Sequence, residues 1–247
     1  MNNNLYNDLF FSNCYDEIIL SLGLKGLDSD LLTFCAKLYG DPILEIGCGT
    51  GLKLLELAGK GYNIVGLDSS FNMLTVLKNK IKKKGVTLVG NVQVVQGDMV
   101  NPPHGDLINR FSIVYFAGSM FLHLTNDKDR LSCLMNCSKF LHSSGVIIIV
   151  NSHFKQKECY NWKKLDKNIK NKYACYTKCN IENNIFRQDF RLEDKQTNEK
   201  YSACWCLYPV EHSSMLNLIK KAGLRIISTP DNIPIRSTAN IYLCAKA

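Results

Sequence analysis

Ile43-Leu44-Glu45-Ile46-Gly47-Cys48-Gly49-Thr50-Gly51 is the stretch on which the reading of the whole chain turns. Its first residues suit a short buried strand, and the three glycines then turn the chain into a helix beginning near Leu52. Glycine turns without a Cβ penalty and lets a ligand approach the backbone closely. The spacing is GxGxG. A dinucleotide fingerprint, GxGxxG, would place its last glycine at position 52, where Leu52 stands. Glu45 lies two positions before the first glycine, and a pyrophosphate is best held at a helix N-terminus without a negative neighbour. The stretch therefore favours a phosphate-free, cationic ligand and disfavours a nicotinamide oxidoreductase.

Outward from this turn, apolar strands alternate with amphipathic helices, the pattern of a mostly parallel sheet covered on both faces. Strands are expected at 42–47, 63–68, 91–96, 111–117 and 145–151, with further strands near 224–228 and 240–246. A helix is expected over 127–141, with Leu131, Leu134 and Leu141 on its buried side. Another is expected over 211–222, stopped by Gly223. Ser69 or Ser70 can cap the helix that follows the second strand. Asp68 closes that second strand, and Asp98 follows the third in Gln96-Gly97-Asp98-Met99. With Glu45, these acids stand at the C-terminal ends of three successive strands, where open α/β sheets bind their ligands. A carboxylate at Asp68 can accept both hydroxyls of a ribose, and one at Asp98 can accept from an adenine amino group.

These residues together resemble the class I S-adenosylmethionine-dependent methyltransferases. The likeness is carried by Ile43 to Gly51, by Val65-Gly66-Leu67-Asp68-Ser69-Ser70 with Met73, and by Val95 to Met99. It extends into Phe116 to Leu124 and, more loosely, through Leu141-His142-Ser143-Ser144-Gly145 and Glu211 to Gly223. Ser143-Ser144-Gly145 departs from the family's usual Pro-Gly-Gly turn. The resemblance implies an α/β, Rossmann-like, seven-stranded and mostly parallel sheet whose last strand is antiparallel. It also implies S-adenosylmethionine as cofactor, and the ammonium and sulfonium of that molecule suit an acidic Glu45. The residues expected to bind it are Tyr15, Glu45, Gly47, Cys48, Gly49, Gly51, Asp68, Ser69, Met73, Asp98, Met99 and Ala117.

Two stretches stand outside the alternation. Residues 1–40 read as a helical lid, with helices over Tyr15 to Leu22 and Ser29 to Tyr39. Residues 155–208 read as an acceptor-binding insertion after the fifth strand, a small antiparallel sheet turning near Asn183-Asn184 and Thr197-Asn198. A core over 41–154, completed by 209–247, makes the whole a single structural domain. Tyr15-Asp16 resembles the Tyr-Asp motif in the lid of the family's small-molecule members, and amino-sugar and glycine-type N-methyltransferases are the members this layout resembles most.

Methyl transfer from a sulfonium is an in-line displacement in which the protein mainly positions the two partners and excludes water. His123, after the fourth strand, is the candidate proton acceptor, and Tyr15 is the second catalytic candidate. Each has an ordinary structural alternative, a packed imidazole and an anchored aromatic ring. Phe154, Tyr173, Tyr176, Arg187, Arg191, Trp205 and Tyr208 are available to line an acceptor pocket, and strand alternation sends about half of them elsewhere. The arginines suit a small-molecule acceptor that is anionic. An amine nitrogen is favoured over a hydroxyl as the methylated atom.

Bulk properties narrow the alternatives. Net charge is +8, and Lys78, Lys80, Lys82, Lys83 and Lys84 supply much of it at the end of one helix. A solvated helix end explains such a run, so nucleic acid is not an expected partner, and an RNA or protein methyltransferase remains the alternative. A catalytically inactive cofactor-binding subunit is a further alternative. The eleven cysteines lack paired CxxC spacing, so no metal is expected. No apolar run reaches membrane-spanning length and the opening residues lack an export pattern, which leads to the expectation of a cytoplasmic protein with no membrane partner. The oligomeric state stays open.

Overall fold

The computed structural model describes residues 5–24, 28–84, 88–116, 118–166, 169–227 and 239–247. Strands β1 (Ile43–Ile46), β2 (Ile64–Asp68), β3 (Val92–Gln96), β4 (Phe111–Phe116) and β5 (Leu141–Ser152) pair in parallel. A second group, β6 (Tyr160–Lys164), β7 (Tyr173–Glu182), β8 (Ile185–Asp194) and β9 (Lys200–Leu207), forms a separate antiparallel sheet in that order. The chain then returns through β10 (Leu224–Ile226) and β11 (Ala239–Lys246). The main sheet is seven-stranded, ordered β10-β11-β5-β4-β1-β2-β3, and β11 runs antiparallel to both of its neighbours.

Successive side chains of a strand point to opposite faces, which sorts the core into two layers. Leu44, Ile46, Val65, Leu67, Val114 and Phe116 face one layer, covered by α5 (Asp127–Phe140) and α6 (His212–Lys221). Ile43, Ile64, Ile113, Tyr115 and Ile148 face the other, covered by α2 (Ser29–Tyr39), α3 (Leu52–Gly59) and α4 (Phe71–Lys84). Burial on both faces is why β1, β2 and β4 read as nearly continuous apolar runs. β1 sits where strand order reverses, with β2 on one side and β4 on the other, so a crevice opens at its C-terminal end.

Local signals fix the helix ends. The Ser70 hydroxyl accepts from the Met73 N–H at 3.1 Å and caps α4, and the Asn126 side chain accepts from Asp129 N–H to cap α5. α6 ends before Gly223, whose φ of +70° continues no helix. Two boundaries differ from the sequence expectation. The first helix, α1 (Leu9–Ser21), starts well before Tyr15, because Asp8 accepts from Phe11 N–H and turns the aromatic run Phe10-Phe11 into its first turn. β5 starts at Leu141, so that residue opens a strand where a helix end was expected. The expected turn at Asn183-Asn184 is a two-residue hairpin joining β7 to β8, with both asparagines at positive φ as such a turn requires.

α1 lies between the two sheets. Phe11, Cys14 and Ile18 pack with Cys175, Phe190 and Leu192 of the smaller sheet and with Met73 of α4. Asp16 of α1 accepts from the Thr50 hydroxyl and pairs with Lys80, while its neighbour Glu17 pairs with Lys170 of the insertion at 3.1 Å. Lys80 thus turns inward from the basic run, whereas Lys78, Lys82 and Lys83 are exposed. No helix among the described residues is long and apolar enough to cross a membrane, and no group of His, Cys, Asp or Glu among them is placed to hold a metal ion.

Phe190 is fully buried where α1 meets the smaller sheet. Phe190→Ala is expected to cost about 3–5 kcal/mol, as large-to-small core changes do. A lower urea midpoint at unchanged slope is the readout.

Candidate active site

The glycine turn after β1 is held from below. Gly47 and Cys48 donate their N–H groups to the Leu67 carbonyl of β2, at 2.7 and 3.1 Å. An added Cβ at Gly47 would lie 2.4 Å from the Met120 side chain, so that position is small because the chain is packed there. At Gly49, φ is +52° and an added Cβ would meet nothing within 4 Å. Backbone is thus presented bare to open space. Asp68 fixes the turn: one carboxylate oxygen accepts from Gly49 N–H and the other from Ser70 N–H, both at 2.8 Å. Burial raises the pKa of Asp68, and these backbone bonds pull it back in part.

A cavity of about 300 Å³ opens over this turn. Its floor includes Glu45, Gly47, Cys48 and Gly49. The segment Gly118 to Met120 and His123 form one wall, and Tyr6 and Tyr15 reach in from the N-terminal segment. Glu45 is 1% exposed, and its Oε2 has no hydrogen-bond partner among the described residues. Burial pushes its pKa up to about 8, against the partial opposition of Lys53. An isolated carboxylate taken out of water is costly, so the vacant oxygen marks a place for a cationic or proton-donating ligand group.

His123 faces Tyr6, with the Tyr6 hydroxyl 3.4 Å from its Nε2 and the ring centroids 5.6 Å apart. Burial lowers the His123 pKa to about 4, so the imidazole is neutral at physiological pH. Burial also raises Tyr15, helped by the charges of Asp68, Asp16 and Glu45, and raises Tyr6, helped by Tyr15 and Asp68. Both phenols keep their protons. Tyr6 was not foreseen: it sits in no motif, and only its place one turn ahead of α1 brings it to the cleft.

The expected site residues fall into three sets. Tyr15, Glu45, Gly47, Cys48, Gly49 and His123 line the cavity. Asp68 joins them through its bond to Gly49, and Gly51, at φ +78°, packs behind the turn on Leu77. Ser69, Met73, Asp98 and Met99 stand apart. Met73 is buried under α1, and Met99 packs on the core layer of α5. Ser69 and Asp98 are exposed beside the C-terminal ends of β2 and β3, where Gly97 N–H bonds the Asp68 carbonyl. Asp98 accepts from Val100 N–H at 2.7 Å. Ala117 lies outside the described residues.

On the insertion side, strand alternation settles which side chains turn inward. Phe186, Gln188, Trp205 and Leu207 line the cavity together with Phe154. Arg187 and Arg191 occupy the opposite face of β8. There Arg187 forks onto Asp189 at 2.7 to 3.1 Å, and Arg191 lies 3.0 Å from Glu193 and over the rings of Trp162 and Tyr176. The expectation that these arginines meet an anionic acceptor is corrected accordingly: the pleat of β8 turns them away from the cleft. Tyr173 packs on Phe10, Tyr176 lies under Arg191 on the outer face, and Tyr208 is absent from the lining. The inward set was readable in principle, since an Asn-Asn hairpin fixes the register of both strands that leave it.

Residues 43–145 match the family model described as a methyltransferase domain. That segment is similar in sequence to methyltransferase domains. An uncharacterized methyltransferase of Geobacillus kaustophilus is 29% identical over 147 residues, 59% of this chain and 62% of the relative. The magnesium-protoporphyrin O-methyltransferase of Rhodobacter capsulatus is 30% identical over 45% of this chain and 46% of its own length. The chain thus spans about half to two thirds of these two relatives. The fold is shared with a sugar N-methyltransferase of Streptoalloteichus (TM-score 0.71, 14% identity, covering 94% of this chain and 92% of that one). The vacant Glu45 oxygen and the bare backbone at Gly49 fit a cationic ligand that carries no phosphate.

Glu45 gives the domain a pH signature. Its proton is retained in the folded chain where an unfolded chain has released it. The stability it contributes is complete below about pH 4.5 and is lost as pH rises to about 8. Glu45→Gln is expected to flatten the decline in urea midpoint across that window, measured without ligand.

Proposed function

We propose that the chain transfers the methyl group of S-adenosylmethionine to a small-molecule acceptor, at an amine nitrogen in preference to a hydroxyl. The observation that carries this reading is His123. It is the imidazole that faces the cavity, and burial leaves it too weak a base to ionise an alcohol. An amine already has a nucleophilic lone pair once it arrives neutral. The donor, when bound, supplies a methyl group activated by its sulfonium.

The chain's own residues then position and shield. Glu45 balances the positive charge of the donor, and Gly49 lets its backbone approach. Asp68 keeps a lone pair on each oxygen for ribose hydroxyls beyond the bonds it gives the turn. Asp98, with Ser69 and Met99 at the neighbouring strand ends, is the candidate for the adenine. Nε2 of His123 and the Tyr6 hydroxyl oxygen are within reach of one another and are placed to accept from the acceptor N–H, aiming its lone pair along the line of transfer. Tyr15, Phe154, Phe186 and Trp205 surround this space with rings that keep water out. The neutral aromatic wall suits an acceptor with apolar surface. Eleven thiols, all free in this structure, suit a reducing compartment such as the cytoplasm. Turnover separates this reading from an inactive cofactor-binding subunit.

Calorimetric titration with S-adenosylmethionine and S-adenosylhomocysteine, with NAD as control, is the first test. Binding of the first two and not the third is expected, weakened at least about tenfold in Asp68→Ala, in line with loss of charge-assisted hydrogen bonds. No binding by folded protein overturns the donor assignment. With an amine acceptor in hand, kcat/KM is expected to rise with pH along the acceptor's own titration. His123→Ala is expected to lower kcat about tenfold without moving that profile, since it positions and does not ionise. A profile that follows an enzyme group near neutrality, abolished by His123→Ala, would make His123 a general base and reopen the hydroxyl alternative.

A further inference from the structure

Phe154 and Phe186 stack face to face, with ring centroids 4.1 Å apart and planes 16° from parallel. Both rings line the cavity over the glycine turn and also a second cavity, of about 170 Å³. Apart from these rings, the second cavity differs in chemistry from the first. Its polar lining is His153, just after β5, Asn184 of the β7–β8 turn, Glu211 and His212 at the start of α6, and Asn240 of β11. His212 is oriented by a 2.8 Å bond between its Nδ1 and the Tyr242 hydroxyl.

The sizes of the two cavities connect them. Ligand pockets run from about 300 to 1,000 Å³. The donor cleft, at about 300 Å³, stands at the lower end of that range and has to seat the donor as well as the reacting end of the acceptor. The rest of an acceptor needs room elsewhere, and the second cavity shares the aromatic pair. At about 170 Å³ it is too small for a whole ligand of that kind but of a size for the terminal ring of one.

Two amides and two imidazoles offer donors and acceptors in several directions, as a set of hydroxyl groups requires. Glu211 is the carboxylate of the lining, and no lysine or arginine lines the cavity among the described residues. An anionic group is therefore disfavoured there. We propose that this second cavity is an acceptor subsite, taking the uncharged, hydroxyl-rich distal end of an amine whose flat apolar mid-section lies against Phe154 and Phe186. The inference rests on the small-molecule amine reading and narrows its substrate class to an amine with a polyhydroxylated arm.

The test uses two probes on the whole chain saturated with S-adenosylhomocysteine: 4-aminophenyl β-glucoside, and aniline as the same amine without the arm. Calorimetry is expected to show the glucoside binding at least tenfold tighter. That advantage is expected to fall to within about twofold in Glu211→Gln combined with Asn240→Ala. The Glu211 side chain makes no capping bond to α6, so its replacement leaves the fold in place. Unchanged affinity for S-adenosylhomocysteine in the double variant verifies this, and Glu211→Gln alone, expected to lose a part of the advantage, serves if the double variant unfolds. Equal affinity for the two amines, binding of neither, or an advantage that survives in the folded variants overturns the subsite. Failure of the unmutated chain to bind S-adenosylhomocysteine overturns the methyl-transfer reading itself, and is seen before any amine is added.

Discussion

The Asp68 carboxylate receives the Gly49 and Ser70 N–H groups, one on each oxygen. Through these two bonds the end of β2 sets the glycine turn after β1 and opens α4 at the same time. A turn with three residues at positive φ has few internal bonds to define it, and without an external acceptor it would sample many shapes. Held by Asp68 and the Leu67 carbonyl, it presents one bare stretch of backbone over the cleft. The hydrogen-bonded ladder between β1 and β2 therefore does more than build the sheet. It transmits the position of one acidic residue to the floor of the cavity.

Glu45 is the counterpart of that order. Where Asp68 is buried and satisfied, Glu45 is buried with one oxygen unmatched among the described residues, and burial raises its pKa. The two acids lie on adjacent strands, and the charge of Asp68 adds to the rise that burial causes at Glu45. A buried acid held with its proton and with one oxygen unmatched among the described residues costs stability, a cost that often marks functional sites.

The parallel sheet was legible because its strands are short apolar runs punctuated by glycine and acid, and both signals are local. The acids at the strand ends were legible for the same reason, as they follow directly from where each strand stops. Sequence distance hid the rest. Tyr6 meets His123 only because α1 begins at Leu9, capped by Asp8, a consequence of packing Phe11 and Ile18 against a sheet formed more than a hundred residues later. The arginines of β8 were visible as residues but their direction was not. One residue of register decides whether Arg187 or Gln188 enters the cavity, and that register is set by the Asn183-Asn184 turn together with the partner strand. Phe154 could be recognised as aromatic, but its stacking on Phe186 depends on how the insertion folds back over the end of β5.

Asp16 and Glu17 are consecutive on α1, yet one grips the glycine turn through Thr50 and the other grips the insertion through Lys170. Neighbouring residues on a helix project about 100° apart, so a single turn of α1 ties the two walls of the cleft at fixed separation. The modules of this fold are in consequence not freely interchangeable. A chimera that exchanged residues 155–208 for another acceptor wall while keeping α1 would inherit a helix cut for the old one, with Glu17 and the Phe11–Ile18 face left without their partners. α1 and the smaller sheet are one packed unit, and a change in either face of that contact calls for a matching change in the other.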